Sequence, residues 1–507
     1  MAAVASLLAF PPVGWAICAH LALIPWLAAF TKDEYHFGFG KGLIYGLILN
    51  LGLLYWLALN QGTVWYWATL SMISAVLFLA LNYGLIGLLY GWIGRRNPRL
   101  APWTLPLIWT AVEYLRSFGA LGFTWNQLAN TQIAVWPLIQ YASLTGGYGV
   151  TLWIVLINVV LYALLRQAGG LVRLRLTVGL VLLVGLPLLH GGFTLWRAGR
   201  KESPRTVTVG IVQPNVDPRD KWTWQAYGDV MQLLQTLTDS VATPVTDLVV
   251  WPETATPTYL RRNHRHALDR IRAQLQRLNV HLLTGVPDYE FIDDEIYRVY
   301  NATFLLRPDQ PEIEDYRKIR LVPFGEYIPL SGYLPQLKGL NLGQGNFDAG
   351  RDVRVYRIPL KTQSGDVANQ SLRLGSLICY ESSFPALTRR MAIAGAELLV
   401  VVSNDAWFGH TSGPFLHAEI ARLRAIENRT PVVRSANTGI SMAIDAYGRV
   451  VAQSRFGKLA VLNATLVAAA QPSFYTRHGD WLAQLAVILL AGLLIWIKIN
   501  PRKTHVC

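Results

Sequence analysis

The chain has 507 residues, of which 52% are hydrophobic and only 15% are charged, and its net charge is +14. A soluble protein carries about 25% charged residues, so this composition argues against a purely cytosolic globule, and so apolar a chain does not stay solvated and disordered. Three cysteines in the whole sequence exclude a disulfide scaffold.

Long uncharged stretches rich in Leu, Ile, Val and Trp occur towards both ends of the sequence. No Asp, Glu, Lys or Arg is found in residues 42–94, 117–165, 176–196 or 481–497. A bilayer-spanning helix needs about 20 apolar residues, and we therefore predict a polytopic α-helical membrane domain with seven spans. The predicted spans are Trp15–Phe30, Gly42–Leu59, Trp65–Gly91, Trp103–Phe118, Ile139–Leu165, Leu176–Leu195 and Trp481–Ile497.

The first apolar stretch, Ala2–Phe10, is too short to span a bilayer and ends at Pro11-Pro12. It lacks the basic residues that precede the apolar core of a secretory signal peptide. We interpret it as a shortened or re-entrant first helix.

Basic residues orient the predicted spans. They lie in alternate connections, at Lys32, Lys41, Arg95, Arg96, Arg99, Arg166, Arg173, Arg175, Lys498, Arg502 and Lys503. Cytoplasmic loops carry an excess of Lys and Arg, so these connections are expected in the cytoplasm. One predicted span separates the loop at 166–175 from the polar block at 205–470, which places this block on the opposite side, the periplasm in a bacterium. Most of the net positive charge lies outside this block, which makes nucleic-acid binding a poor interpretation.

The block at 205–470 alternates short apolar runs with polar or amphipathic stretches, a pattern that predicts an α/β sandwich. The predicted strands are Val207–Val212, Leu248–Trp251, His281–Gly285, Asn301–Leu306, Leu374–Cys379, Leu398–Ser403, Val432–Ser435 and Ser441–Ile444, and the clearest helices are His264–Leu278 and Pro414–Glu427.

Three segments of this block carry side chains suited to catalysis. An apolar strand ends in Trp-Pro-Glu253, Lys318 lies in the run RKIRLVPFGE, and Cys379 ends an apolar strand in the string ICYE. Taken singly, each has a structural interpretation: Glu253 as a helix cap or half of an ion pair, Lys318 as part of a solvated basic face, and Cys379 as an inert buried residue.

Taken together and in this order, the three segments resemble the nitrilase or carbon–nitrogen hydrolase superfamily. The predicted helices before and after the block, with the strings LVPFGEYIP, ICYES and VSNDAWFG, resemble the apolipoprotein N-acyltransferase family of the bacterial inner membrane. The resemblance covers nearly the whole chain and is weakest over the first fifteen residues. It implies an αββα nitrilase-like domain at 205–470, between an N-terminal membrane domain at 1–200 and a C-terminal span at 481–497.

The resemblance also implies a catalytic triad. An ordinary thiol has a pKa near about 8.5 and is only a few per cent thiolate at neutral pH. Acyl transfer by Cys379 therefore needs a general base, the role implied for Glu253. Lys318, with backbone N–H groups, is expected to stabilise the tetrahedral oxyanion.

The implied donor is a phospholipid, with phosphatidylethanolamine the expected one, and the implied acceptor is the N-terminal α-amine of a diacylated apolipoprotein. The two react in turn at one site through a Cys379 thioester. No cofactor is implied, and the Cys and His residues show no metal-ligand spacing. Both substrates are expected in the outer leaflet of the inner membrane, on the side predicted for the catalytic block.

Further motif positions are expected to support the site. They are Glu326, Tyr380, Glu381, Trp222 and Asn404. Three of them have simpler interpretations: Glu326 as the partner of Arg320, Trp222 as a packing residue, and Asn404 as a turn former.

Two alternative functions are considered. A membrane-tethered nitrilase-type amidase would release the thioester to water, and the triad by itself does not distinguish it from a transferase. A transporter is disfavoured, because it requires charged residues along a path through the membrane and the predicted spans contain almost none besides Glu113 and Arg116.

Overall fold

The computed structural model describes residues 1–30, 34–166, 169–200, 205–221, 224–262, 265–293, 297–329, 346–361, 371–469 and 471–500. The chain forms two compact units. The helical unit comprises residues 1–59, 66–200 and 478–507, and the α/β unit comprises residues 60–65 and 201–477.

The helical unit contains eight α-helices among its described residues. They are α1 (Ala2–Ala9), α2 (Ile24–Ala28), α3 (Gly38–Leu54), α4 (Trp65–Arg96), α5 (Ala101–Arg116), α6 (Ala142–Arg166), α7 (Gly170–Ala198) and α13 (Trp481–Ile499), with 3₁₀ segments at Ala16–His20, Tyr35–Phe37, Tyr55–Leu59 and Leu128–Val135. Five helical segments within these ranges are long and apolar enough to cross a membrane. The prediction of a polytopic membrane domain is confirmed.

Two of the seven predicted spans differ from the structure. The stretch predicted as Trp15–Phe30 forms the 3₁₀ segment Ala16–His20 and the five-residue α2. Pro25 lies in the first turn of α2, where proline is tolerated because its missing N–H would have no partner. Helix α5 has 16 residues, just below the range of about 17–25 that a spanning helix needs. The first stretch, α1, has only eight residues.

Small residues allow α3 and α4 to approach closely. A Cβ atom on Gly42 would lie 2.0 Å from the carbonyl oxygen of Tyr83, and one on Gly38 would lie 2.2 Å from that of Gly87. Apolar side chains gain little by leaving lipid, so membrane helices associate through such close backbone contacts.

Glu113, one of the two charged residues in the predicted spans, is satisfied inside the helical unit. Its carboxylate accepts hydrogen bonds from Trp109 Nε1 at 3.1 Å, from the backbone N–H of Leu128 at 3.0 Å and from Thr151 Oγ1 at 2.7 Å. Arg116 Nη2 lies 3.9 Å away. These contacts join α5 to α6 and to the Leu128–Val135 segment, which is a structural role.

Among its described residues, the α/β unit contains two sheets of six strands. Its elements are β1 (Thr206–Gln213), α8 (Trp224–Val241), β2 (Leu248–Val250), α9 (Arg265–Leu278), β3 (His281–Phe291), β4 (Tyr297–Leu306), β5 (Glu314–Arg317), β6 (Val355–Pro359), β7 (Ser371–Ile378), α10 (Pro385–Ile393), β8 (Leu398–Ser403), α11 (Ser412–Asn428), β9 (Val432–Ala436), β10 (Met442–Ile444), β11 (Val450–Gln453), β12 (Ala460–Val467) and α12 (Phe474–His478). The strand orders are β12-β1-β2-β3-β4-β5 and β11-β10-β9-β8-β7-β6.

The two sheets face each other and helices cover their outer faces. Ser435 Oγ on β9 donates to the carbonyl oxygen of Val212 on β1 at 2.8 Å, and Thr303 Oγ1 on β4 donates to Ser376 Oγ on β7 at 2.9 Å. Apolar residues of α8 and α9 form one core with the first sheet, while α10 and α11 contact the second. The predicted α/β sandwich is confirmed.

The middle strands of each sheet are parallel. Strands β1, β2 and β3 run in one direction, as do β7, β8 and β9. The carboxyl ends of parallel strands in one sheet meet at the same edge, which is where open α/β sheets place their functional groups.

Candidate active site

The three residues predicted to be catalytic each follow a strand. Glu253 lies three residues beyond β2, Lys318 directly after β5, and Cys379 directly after β7. Strands β2 and β5 belong to one sheet and β7 to the sheet that faces it. The site is thus assembled between the two sheets.

Lys318 lies between two carboxylates. Its Nζ is 2.7 Å from Glu326 Oε1 and 3.3 Å from Glu253 Oε1, and all three side chains are buried. Asn301 Nδ2 donates to the same two oxygens, at 2.7 Å for Glu253 and 3.1 Å for Glu326. Two donors therefore fix both carboxylates at one point.

The charge state of Lys318 follows from these neighbours. Burial alone would lower the pKa of Lys318, but the negative charges of Glu326 and Glu253, with a smaller contribution from Cys379, raise it above its ordinary value. The side chain therefore keeps its positive charge at neutral pH, which oxyanion stabilisation requires.

The Cys379 thiol has the opposite tendency. Burial raises the pKa of Cys379 well above its ordinary value, Glu253 raises it further, and Lys318 opposes this rise. The thiol therefore holds its proton at neutral pH. A base must remove that proton before the sulfur can attack a carbonyl.

The backbone around these residues is strained in the same way at three places. Thr254, Phe324 and Cys379 are non-glycine residues with φ angles of 42°, 62° and 50°. Such left-handed conformations cost free energy and persist where the surrounding structure imposes them, often at functional sites. One of them lies in each of the three segments that carry the predicted triad.

Glu381 joins the segment after Lys318 to the strand before Cys379. Its Oε1 accepts from the Tyr316 hydroxyl at 2.8 Å and from two backbone N–H groups, of Ile319 at 2.7 Å and of Arg320 at 3.0 Å. Its Oε2 accepts from the backbone N–H of Ile378 at 2.8 Å. Burial raises the pKa of Glu381 to about 7, and these hydrogen bonds oppose the rise.

The other predicted supporting residues lie differently. Tyr380 is buried, with its ring edge-on to Phe384 at a centroid distance of 4.9 Å. Asn404 Oδ1 accepts from Asn437 Nδ2 at 3.2 Å and from the Ala406 N–H at 3.4 Å, which holds the loop after β8. Trp222 lies outside the described residues.

Several buried polar residues at the site lie outside the motifs that predicted it. Asn301 lies on β4, Arg434 on β9 and His417 on α11, and Lys221 lies in the loop after β1. A polar side chain within an apolar run is expensive to bury without a partner, and this signal is present in the strings NATFLL and VVRSA.

Cys379, Asp405 and His417 have ligand atoms within 4.8 Å of one another, but they do not fit a metal ion. Arg434 Nη2 contacts Asp405 Oδ2, and Asp405 Oδ1 is 2.9 Å from His417 Nδ1. The fixed positive charge of the guanidinium already occupies the carboxylate and would repel a cation there.

Both units of the protein are similar to known proteins. The carbon-nitrogen hydrolase family model matches residues 208–472, and the model of the apolipoprotein N-acyltransferase N-terminal domain matches residues 2–160. The apolipoprotein N-acyltransferase of Geobacter metallireducens is 34% identical over 495 residues, which cover 96% of this chain and 92% of that protein. That of Chlorobaculum tepidum is 32% identical, covering 97% and 92%.

Among solved structures, Nit3 of Saccharomyces cerevisiae, a member of the nitrilase superfamily, matches with a TM-score of 0.38 at 17% identity, covering 60% of this chain and 98% of that one. The family models and the bacterial relatives confirm the resemblance drawn from the motifs. The chain belongs to the apolipoprotein N-acyltransferases, membrane acyltransferases of the carbon–nitrogen hydrolase superfamily that act in lipoprotein N-acylation.

Proposed function

We propose that this protein transfers an acyl chain from a phospholipid, through a thioester on Cys379, to the α-amine of the N-terminal diacylglyceryl-cysteine of an apolipoprotein. The observation that carries the proposal is the buried Lys318, held between Glu253 and Glu326, with the charges of Glu253 and Lys318 both acting on the Cys379 thiol. This arrangement provides a base, a fixed positive charge and a nucleophile at one point.

In the first half-reaction, Glu253 takes the thiol proton and the sulfur attacks the ester carbonyl of the phospholipid. Lys318 and backbone N–H groups stabilise the oxyanion, and removal of one such donor typically costs about 3–4 kcal/mol. When the tetrahedral intermediate collapses, the ester C–O bond breaks and the lysophospholipid alkoxide takes the proton back from Glu253.

In the second half-reaction, the acceptor amine attacks the thioester carbonyl. Glu253 accepts a proton from the attacking nitrogen, the C–S bond breaks, and the leaving thiolate takes this proton from Glu253. The product is an amide and the enzyme is regenerated. Each step uses only the side chains described above.

The supporting residues receive separate roles in this proposal. Glu326 keeps Lys318 charged and in place, and Glu381 holds the Lys318 segment against the end of β7. Tyr380 and Asn404 form the wall of the site.

We further propose an N-terminal transmembrane domain at 1–200, a catalytic domain at 205–470 and a C-terminal transmembrane helix at 481–497. The helices anchor the protein in the inner membrane of a bacterium, and the catalytic domain lies in the periplasm. The alternating basic connections support this orientation. Phosphatidylethanolamine is the proposed donor, and a diacylated apolipoprotein is the proposed acceptor.

The test is mass spectrometry of the purified protein incubated with phosphatidylethanolamine. We expect a fatty-acyl adduct on Cys379 that is absent from Cys379→Ala, and we expect a diacylated lipopeptide to clear it and gain the same mass on its amine. An adduct on the Cys379→Ala variant would contradict the thioester proposal. An adduct that water clears as fast as the lipopeptide does would instead identify a membrane-tethered hydrolase.

A further inference from the structure

A row of buried side chains in contact with one another leads to the backbone carbonyl of Cys379. Arg434 Nη2 contacts Asp405 Oδ2, and Asp405 Oδ1 lies 2.9 Å from His417 Nδ1. His417 Nε2 in turn lies 3.0 Å from the backbone oxygen of Cys379. The three side chains come from β9, from the loop after β8 and from α11, so distant parts of the second sheet converge on one peptide group.

Arg434, the member of this row farthest from Cys379, is held by several hydrogen bonds. Arg434 is fully buried and donates from Nε to the Ile440 carbonyl at 3.1 Å and from Nη2 to Ser403 Oγ at 3.1 Å. Ser403 Oγ also donates to Asp405 Oδ1 at 3.1 Å. Arg434 Nη2 also lies 3.3 Å from His417 Nδ1, so this nitrogen can accept from the guanidinium while Nε2 carries the ring proton and donates to the Cys379 oxygen.

The Cys379 carbonyl has a second donor. Ser382 Oγ donates to it at 2.8 Å and lies 3.2 Å from His417 Nε2. A residue with a φ angle of 50° does not hold this conformation through its own preference. The two contacts on its oxygen are suited to impose it.

The orientation of this oxygen determines the direction of the next backbone N–H. In a trans peptide the C=O and N–H groups point in opposite directions. Fixing the Cys379 oxygen therefore aims the Tyr380 N–H away from His417. Donors to an oxyanion contribute only when they are held at about 2.7–3.1 Å from the position of the developing charge.

We propose that His417, fixed by Asp405 and Arg434, is a positioning residue that orients the Cys379–Tyr380 peptide. The N–H of this peptide then stabilises the oxyanion of the tetrahedral intermediate that forms when the Cys379 sulfur attacks the ester carbonyl. This inference rests on the proposed thioester mechanism. It assigns to His417 a role in acylation that is separate from activation of the thiol, which belongs to Glu253.

Two substitutions of His417 distinguish the roles of its two ring nitrogens. The side-chain nitrogen of Gln reaches the position of Nε2, whereas that of Asn reaches only the position of Nδ1. We expect His417→Gln to form the acyl-enzyme from phosphatidylethanolamine at close to the wild-type rate. His417→Asn should be about 10- to 100-fold slower, a smaller loss than the about 10²–10³-fold loss for outright removal of an oxyanion donor.

Alkylation of Cys379 by iodoacetamide is the second readout, followed by mass spectrometry of the Cys379 peptide. Alkylation displaces iodide at a saturated carbon and forms no oxyanion. We expect its rate to be the same in wild type, His417→Gln and His417→Asn. A role limited to folding or to thiol placement would slow both reactions together.

Several results would overturn the inference. One is acylation of His417→Asn at the wild-type rate, and another is an equal loss of acylation and alkylation. If both His417 variants fail to fold, Ser382→Ala removes the other donor to the same carbonyl and should slow acylation severalfold while sparing alkylation. Failure of the wild type to form an adduct would instead refute the proposed function.

Discussion

At the scale of single residues, burial and neighbouring charge decide which groups of the site are protonated. Glu326 and Glu253 keep Lys318 positive, and burial with Glu253 keeps the Cys379 thiol neutral. An ammonium group beside a protonated thiol is an inactive pair until a base acts. In the proposed mechanism this base is Glu253.

Glu253→Gln tests this dependence. Glutamine keeps the size of the side chain but cannot accept the thiol proton, and general-base catalysis contributes about 10²–10⁴-fold. We expect acyl-enzyme formation to fall by at least about 100-fold with little change in thermal stability, because Glu326 still pairs with Lys318. An unchanged rate of adduct formation by mass spectrometry would remove Glu253 from the mechanism.

Lys221 gives the protein a pH-dependent stability. Its side chain is buried and donates to the carbonyl of Thr254, next to Glu253. Burial lowers the pKa of Lys221 to about 7, and the charge of Glu253 opposes this. Between about pH 7 and pH 10 the unfolded chain thus holds a proton that the folded chain lacks, so the stability of the folded state rises with pH.

We expect this gain to approach about 1.4 kcal/mol per pH unit and to be absent in Lys221→Met. The measurement is the melting temperature of both proteins between pH 7 and pH 10. The wild type should gain stability relative to Lys221→Met as the pH rises. Parallel curves would show that Lys221 titrates outside this range.

At the scale of elements, the end of β2 is shaped by the strand beside it. A Cβ atom on Gly285 of β3 would lie 2.5 Å from Glu253 Cα and 2.6 Å from the Pro252 carbonyl oxygen. The Ala255 N–H donates to the Gly285 carbonyl at 2.7 Å. Because Gly285 has no side chain, the turn that carries Glu253 can approach β3 closely.

Gly285→Ala tests this close approach. We expect it to destabilise the protein by about 1–3 kcal/mol, as overpacking does, and to slow acyl-enzyme formation by moving Glu253. Gly228→Ala is the control, because Gly228 is exposed on α8 and a Cβ there meets nothing within 4 Å. It should stabilise the helix by about 0.5–1 kcal/mol. Thermal denaturation measures the stability of the two variants, and mass spectrometry measures their rate of acyl-enzyme formation. Equal effects of the two substitutions would contradict a close approach at Gly285.

At the scale of the whole molecule, the helical unit carries apolar surface that needs lipid. The most apolar 18-residue stretch of α7 has no residue buried inside the protein. Within α7, Leu186 and Leu189 are 60% and 71% exposed. Exposed apolar surface of this extent is unfavourable in water. A lipid environment for α7 follows.

Reporter fusions on either side of α7 test the orientation. Arg166, Arg173 and Arg175 lie at its N-terminal end, which the positive-inside rule assigns to the cytoplasm. A reporter that is active only outside the cytoplasm should be inactive when fused after Arg166 and active when fused after residue 210. The reverse pattern, or the same activity in both fusions, would overturn the proposed topology.

Local sequence patterns predicted the helices and strands that are buried along a regular apolar run. Uncharged apolar runs predicted the long helices, and eight inner or near-inner strands were predicted within a few residues of their observed bounds, apart from the longer β3 and β4. In the part of the chain that the structure describes, the four strands that were not predicted are β5, β6, β11 and β12, the edge strands of the two sheets. Edge strands carry polar and charged residues because one side faces solvent, so β5 reads Glu-Asp-Tyr-Arg without an apolar run.

Which side chains come into contact depends on the fold and could not be predicted from local patterns. Lys318 and Glu253 are 65 residues apart, and Arg434, Asp405 and His417 come from β9, from the loop after β8 and from α11. Periodicity reports whether a residue faces the core, since it reflects contacts with neighbours along the chain. It does not report which distant residue lies opposite, because that depends on strand order and on the facing of two sheets, and the partners of His417 at the nucleophile follow from that arrangement alone.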